Sequence, residues 1–131
     1  MLALQVAVLS KQTQIQWYDA PEDHDYPAAE SYLSLLYDEK TAEAYVAKLK
    51  RAPISQFKAK DIFRASGLSL LGASNFHVAK DSQKIHDGQK LSPLLLVRAT
   101  GQSRVIIADG YHRLCAVYAL NEDATIPSKI V

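Results

Sequence analysis

The stretch Ile106–Cys115 reads IIADGYHRLC and concentrates more chemistry than any other part of the chain. A β-branched apolar run ends in Asp109-Gly110, and residues at helical spacing follow at once. The first N–H groups of a helix lack internal partners and stand at the positive end of its dipole, so such a turn suits an anion. Gly110 lets the chain bend and lets a ligand approach the backbone. His112 adds a titratable donor in the first turn, and Arg113 a planar bidentate cation. Cations placed there oppose the dipole, and a phosphate would compensate them. Tyr111, at the turn itself, is placed to stack on a base or simply to pack. The same residues also have a ligand-free account, in which Asp109 caps the helix and pairs with Arg113. If Asp109 and a phosphate share the pocket they repel, unless Mg²⁺ bridges them or the carboxylate acts as a base. Asp109 is therefore the expected metal residue and, with His112, an expected catalytic residue.

A second concentration lies at Asp19–Asp25, where Asp19, Glu22, Asp23, His24 and Asp25 fall close together. Oxygen-rich sets of this kind suit hard cations, and a carboxylate here is placed to serve as a base. No calcium-loop spacing is present, and two prolines beside charges equally describe a solvated loop with helix caps. If the loop functions, the N-terminal half folds over the Gly110 turn as a lid. His112 and Cys115 stand at i, i+3, half of a soft-metal site with no second pair at ligand spacing. The single cysteine excludes an intramolecular disulfide, and Cys115 is expected as a small buried side chain.

These residues sit in a chain of 131, with 48% apolar and 22% charged residues, which is one domain's worth and too apolar for wholesale disorder. No apolar run approaches the ~18–20 residues that span a bilayer. Met1–Leu9 lacks a basic flank and a small-residue cleavage pattern, so no signal peptide is expected. A soluble, cytoplasmic protein follows as the expectation. The net charge of +1 makes no global case for nucleic acid or anionic membrane. The charges are unevenly placed: residues 19–43 sum to −7 and residues 48–64 to +5. Mutual neutralisation across a folded surface, or plain solvation, accounts for these runs, with a phosphate-facing role for the basic one as the other reading.

A strand is expected at Leu4–Leu9 and a loop at Asp19–Pro27. A helix follows through Ala28–Tyr37, with Pro27 in its first turn and Ala29, Tyr32, Leu33 and Leu36 on one face. Asp38 caps the next helix, which carries Ala42, Tyr45, Val46 and Leu49 and stops at Pro53. A short helix at Lys58–Ser66 ends on Gly67. After a loop at Ala73–His77 a helix runs through Val78–His86, with Gly88 beyond its end. The period then changes to strands at Leu94–Arg98 and Val105–Ala108, a helix at Tyr111–Leu120 and a closing strand at Ile126–Val131. The fold class expected is α+β, a small mixed sheet flanked by helices.

The order of these elements resembles the ParB/sulfiredoxin-type domain over about Val78 to Val131. In that family a helix ending in glycine precedes a proline-led strand, a turn and a second strand. A G-x-H-R helix opening and a strand centred on proline complete it. Here those elements are Lys84–Gly88, Pro93–Val97, Val105–Ala108, Gly110–Arg113 and Ile126–Val131. The resemblance implies residues 58–131 as a ParB/sulfiredoxin-like domain, with residues 1–57 as an N-terminal helical extension packed on it in one compact unit. It implies a nucleoside phosphate, ATP or CTP with Mg²⁺, or a phosphorylated small molecule at the turn. Gly110, Tyr111 and Arg113 would hold it, with His77 added by family position and Lys84 reaching the same pocket from the following helix. Phosphoryl transfer or phosphodiester cleavage is the implied chemistry. The alternative is a non-catalytic module used for protein partner binding or self-association, a homodimer included. Sulfiredoxins place a catalytic cysteine where this chain has Tyr111, so sulfinic reduction is not expected. Partitioning proteins continue into a helix-turn-helix that is not seen here, so DNA binding is not expected either. Phe76 and His77 stand where the family often has proline and arginine.

Overall fold

The computed structural model describes residues 14–99, 101 and 104–131. In chain order the elements are β1 (Gln16–Trp17), α1 (Asp25–Leu36), α2 (Glu39–Arg51), β2 (Ser55–Lys58), α3 (Ala59–Ser66), α4 (Phe76–His86), β3 (Lys90–Leu91), β4 (Leu94–Ala99), β5 (Arg104–Asp109), α5 (Tyr111–Leu120) and β6 (Thr125–Ile130). The expected strand at Leu4–Leu9 lies outside the described residues.

Four strands form one mixed sheet in the order β2-β6-β4-β5. β6 runs antiparallel to β2 and parallel to β4, and β4 runs antiparallel to β5. A minor pair joins β1 and β3 in parallel. The run Leu94–Val97 is apolar at every position because both faces of β4 are covered. Leu94 and Leu96 join Ile62, Val78, Ile85, Leu114, Val117 and Ile126, contributed largely by α3, α4 and α5. Leu95 and Val97 join Ala29, Leu33, Ala42, Val46 and Leu49 from α1 and α2. The sheet is thus the middle of three layers, a mixed α and β architecture. The residue 57/58 boundary expected from sequence falls within β2, whose four residues pair with β6.

Local chemistry sets the helix ends. Asp38 accepts the Thr41 N–H at 2.8 Å and starts α2, while Gly67 closes α3 at φ 68°. Asn75 accepts from the His77 and Val78 N–H groups at 2.9 and 3.2 Å, so Phe76 and His77 belong to α4 rather than to the expected loop. Asn75→Ala is expected to cost about 1 kcal/mol, read as a lower midpoint in urea unfolding with an unchanged slope.

Two expectations are corrected. Helix α1 begins at Asp25, earlier than expected, and its inward line is Asp25, Ala29 and Leu33 at i, i+4, i+8. Tyr32 and Leu36 are 42% and 49% exposed, so neither belongs to the core. Nor do the acidic and basic runs neutralise each other by contact: among the described residues no ion pair joins residues 19–43 to residues 48–64. Arg64 faces Asp61 within its own helix, and Lys60 pairs with Asp123 instead.

Candidate functional site

Strand β5 ends at Asp109, and the chain turns into α5 through Gly110 at φ 110°, a conformation L side chains rarely adopt. A Cβ at Gly110 would meet Leu94 Cγ at 2.7 Å and Arg113 Nη2 at 2.9 Å. The open side of this glycine is therefore filled by the protein's own side chains, which corrects the expectation that it admits a ligand to the backbone. Asp109 does not cap α5. Gly110 is the N-cap residue, and no side chain caps the helix. Leu114 N–H closes the first bond to Gly110 O at 2.9 Å, while the N–H groups of Tyr111, His112 and Arg113 have no partner among the described residues.

Arg113 and Asp109 meet across one helical turn, Nη2 to Oδ2 at 2.8 Å, with side chains 17% and 16% exposed. Nη2 also reaches Pro93 O at 3.4 Å. Nε of Arg113 is buried and has no hydrogen-bond partner. Burial pushes the Asp109 carboxyl above the ordinary carboxylate value; Arg113 pulls it down, and the adjoining Asp25 carboxylate pushes it up again. Asp109, expected as a metal residue, gives one oxygen to Arg113.

The His112 ring lies tilted against His77 of α4, centroids 4.8 Å apart, and 5.7 Å from the Tyr111 ring. The Tyr111 hydroxyl donates to Ser69 O, so this ring is tethered to the loop before α4. Burial lowers the His112 pKa, His77 and Arg113 lower it further, and Asp81 opposes them. Asp81 itself is raised by burial against the pull of Arg113, Lys84, His112 and Lys80. His77, Asp81 and Lys84 recur at i, i+4, i+7 on α4, and α4 packs along α5. Asp81 was not among the residues expected in the site, and helical spacing counted from His77 is the signal that points to it.

Lys84 and Arg113 line one cavity of about 320 Å³, with Asp81 between α4 and α5 and with Lys90 beyond. Glu22 and His24 of the acidic loop line the same cavity. Two larger clefts of about 760 Å³ each run along Trp17 and Gln56, and along Phe63 and Tyr118; of the candidate residues only Asp19 lines the first, and none lines the second.

No protein-family model, no curated protein and no solved structure matches the chain. The site is accordingly read from its own geometry. It brings Asp109, Gly110, Tyr111, His112, Arg113, His77 and Lys84 to the α4–α5 junction. Cys115 is fully buried on α5, as expected.

The lowered His112 value has a consequence for stability. Between that value and the ordinary 6.5 the unfolded chain binds more protons than the fold, so this group's contribution is complete above pH 6.5 and is lost as pH falls. The raised Asp81 carboxyl acts in the opposite sense, in the acid range above its ordinary 3.8. The melting temperature is expected to fall from pH 7.5 to pH 5.5, and His112→Gln to flatten that profile.

Proposed function

We propose that this chain is a nucleotide- or phosphate-binding protein of the ParB/sulfiredoxin type, acting through the Asp109–Arg113 turn. The order of α4, Gly88, β4, β5, the G-x-H-R opening of α5 and β6 supports the family reading. One observation carries the function: Lys84 and Arg113, from adjoining helices, line a single cavity, and Arg113 keeps a buried Nε without a partner. A buried donor of this kind costs about 1–3 kcal/mol while unpaired, and an anionic oxygen recovers that. Arg113 clamps phosphate, Lys84 adds a point charge, and the free N–H groups at the start of α5 face the same helix end. Asp109 aims the guanidinium. His112 donates to the bound phosphate or, in its protonated form, is the acid if that phosphate reacts, by phosphoryl transfer or phosphodiester cleavage; its lowered pKa confines the acid role to the acidic side of neutrality. ATP or CTP with Mg²⁺ is the ligand class this reading implies.

Thermal stability with ATP, CTP, GTP and ADP, each with and without Mg²⁺, tests it. A ligand at ~100 times its Kd adds about 2.7 kcal/mol. The shift should vanish in Arg113→Ala and persist in Lys40→Ala, an exposed lysine on α2. No shift with any nucleotide favours the association module instead. That second reading rests on a groove of about 300 Å³ beside the edge strand β5, lined by Tyr32, Leu36 and Leu68, with Leu35 nearby in sequence and 82% exposed.

A further inference from the structure

The groove beside β5 is floored by an unpaired sheet edge, which narrows what can fill it. β5 pairs only with β4, and among the described residues no backbone hydrogen bond reaches its outer side. Alternate N–H and C=O groups of the strand stand open along that side, and Arg104–Ile107 line the groove. Edge strands are commonly protected by charged residues or proline, and Val105, Ile106, Ile107 and Ala108 are none of these.

The walls come from both layers of the fold. Tyr32 and Leu36 stand on α1, which covers one face of the sheet, and both are partly exposed. Leu68 follows α3, which covers the other face, and is 43% exposed. A slot with apolar walls on both faces and open backbone groups at its floor suits one extended strand, whose side chains alternate between the walls. A helix keeps its backbone bonds to itself and has none to give this edge.

One end of the slot carries a charge. Arg104 opens β5, and its guanidinium lies beside Gly67 at the end of α3. Among the described residues it has no ion pair and no side-chain hydrogen bond. A strand laid antiparallel to β5, the more stable pairing, brings its C-terminal end to that guanidinium. An acidic side chain there completes the charge. A second copy of β5 fits less well: pairing it about Ile106 or Ile107 sets Arg104 opposite Ala108 or Gly110, neither of them a carboxylate.

We infer that this groove binds an extended apolar segment of a partner protein, added antiparallel to β5, with an acidic residue at its C-terminal end beside Arg104. The inference rests on the association reading of the groove and is independent of the Arg113 turn, which lies outside it.

The test uses the full ¹⁵N-labelled chain, without nucleotide, titrated with the peptide Ac-Ser-Gly-Val-Val-Leu-Val-Asp-NH2. Saturable shifts are expected for the Arg104, Val105, Ile106 and Ile107 amides, with those of Tyr111, His112 and Arg113 unmoved. Replacing the last Asp by Asn should weaken binding by about 3-fold, the worth of an exposed ion pair, and in Arg104→Gln the two peptides should bind alike. Leu36 is half-exposed, so Leu36→Asp should fold as the parent does. It places a carboxylate in the apolar wall and should weaken binding by at least about 10-fold. The reversed sequence, Ac-Asp-Val-Leu-Val-Val-Gly-Ser-NH2, should bind more weakly than the forward one. No saturable shift along β5, or an affinity unchanged in both Leu36→Asp and Arg104→Gln, would overturn the assignment. So would concentration-dependent dimerisation that protects these amides without peptide. Peptide binding without any nucleotide-induced thermal shift would refute the phosphate reading alone, and the reverse pattern would refute this inference alone.

Discussion

Gly110→Ala is expected to destabilise the fold by about 3 kcal/mol, one of the largest single-residue effects in the chain. Two costs add. A side chain at φ 110° is strained wherever it sits. The new methyl would also stand 2.7 Å from Leu94 Cγ, a wholly buried side chain of the central strand β4, and 2.9 Å from Arg113 Nη2. Leu94 cannot retreat without disturbing the core it shares with Leu114 and Ile126, so the guanidinium is what moves. Gly67→Ala provides the comparison. Its φ of 68° is also unfavourable, but its Cβ would meet only the flexible head of Arg104, at 3.4 Å. A loss of about 1 kcal/mol is expected there. Urea unfolding of both variants checks the difference, with Gly110→Ala about 10 °C lower in melting temperature.

Arg113→Ala is the second large effect, and it has two separable parts. Removing the guanidinium strands Asp109 in a site where burial and Asp25 already disfavour its charge. Breaking a buried pair in this way costs about 3 kcal/mol or somewhat more. Asp109 limits the loss by taking up a proton, so the variant's deficit relative to the parent should widen as pH rises. Asp109→Asn added to Arg113→Ala removes the stranded charge and should recover part of the stability. It should not recover nucleotide stabilisation, because the clamp itself is gone. Recovery of both by the double variant would show that Arg113 matters only as the partner of Asp109.

Much of the framework was legible because the periodicities are strong and the punctuation is chemical. Ala42, Tyr45, Val46 and Leu49 behind the Asp38 cap define α2, and the unbroken Leu94–Val97 run defines a strand covered on both faces. What was not legible depends on contacts distant in sequence. Ser55–Lys58 is a strand because β6 supplies its partner, and four residues alternating in burial carry too little signal alone. Tyr32 and Leu36 share helical spacing with Ala29, yet the phase of α1 is set by Asp25, Ala29 and Leu33 docking on β5 and α2. Asp25 is the plainest case. Amid prolines and other charges it reads as a solvated loop residue, and only the fold shows that it is buried beside Asp109. In the site, the residue types of the Gly110–Arg113 turn were evident, but the packing of Leu94 into the glycine's open side was not.

The central claim places a negative oxygen at the start of α5, and ¹H–¹⁵N spectra of the labelled chain titrated with pyrophosphate address it residue by residue. The account predicts saturable shifts of the Tyr111, His112 and Arg113 amide signals together with the Arg113 Nε–H, the groups that lack partners in the free fold. If those signals stay fixed at millimolar pyrophosphate, or move only in company with the exposed lysines of α2, the α5 turn is not an anion site.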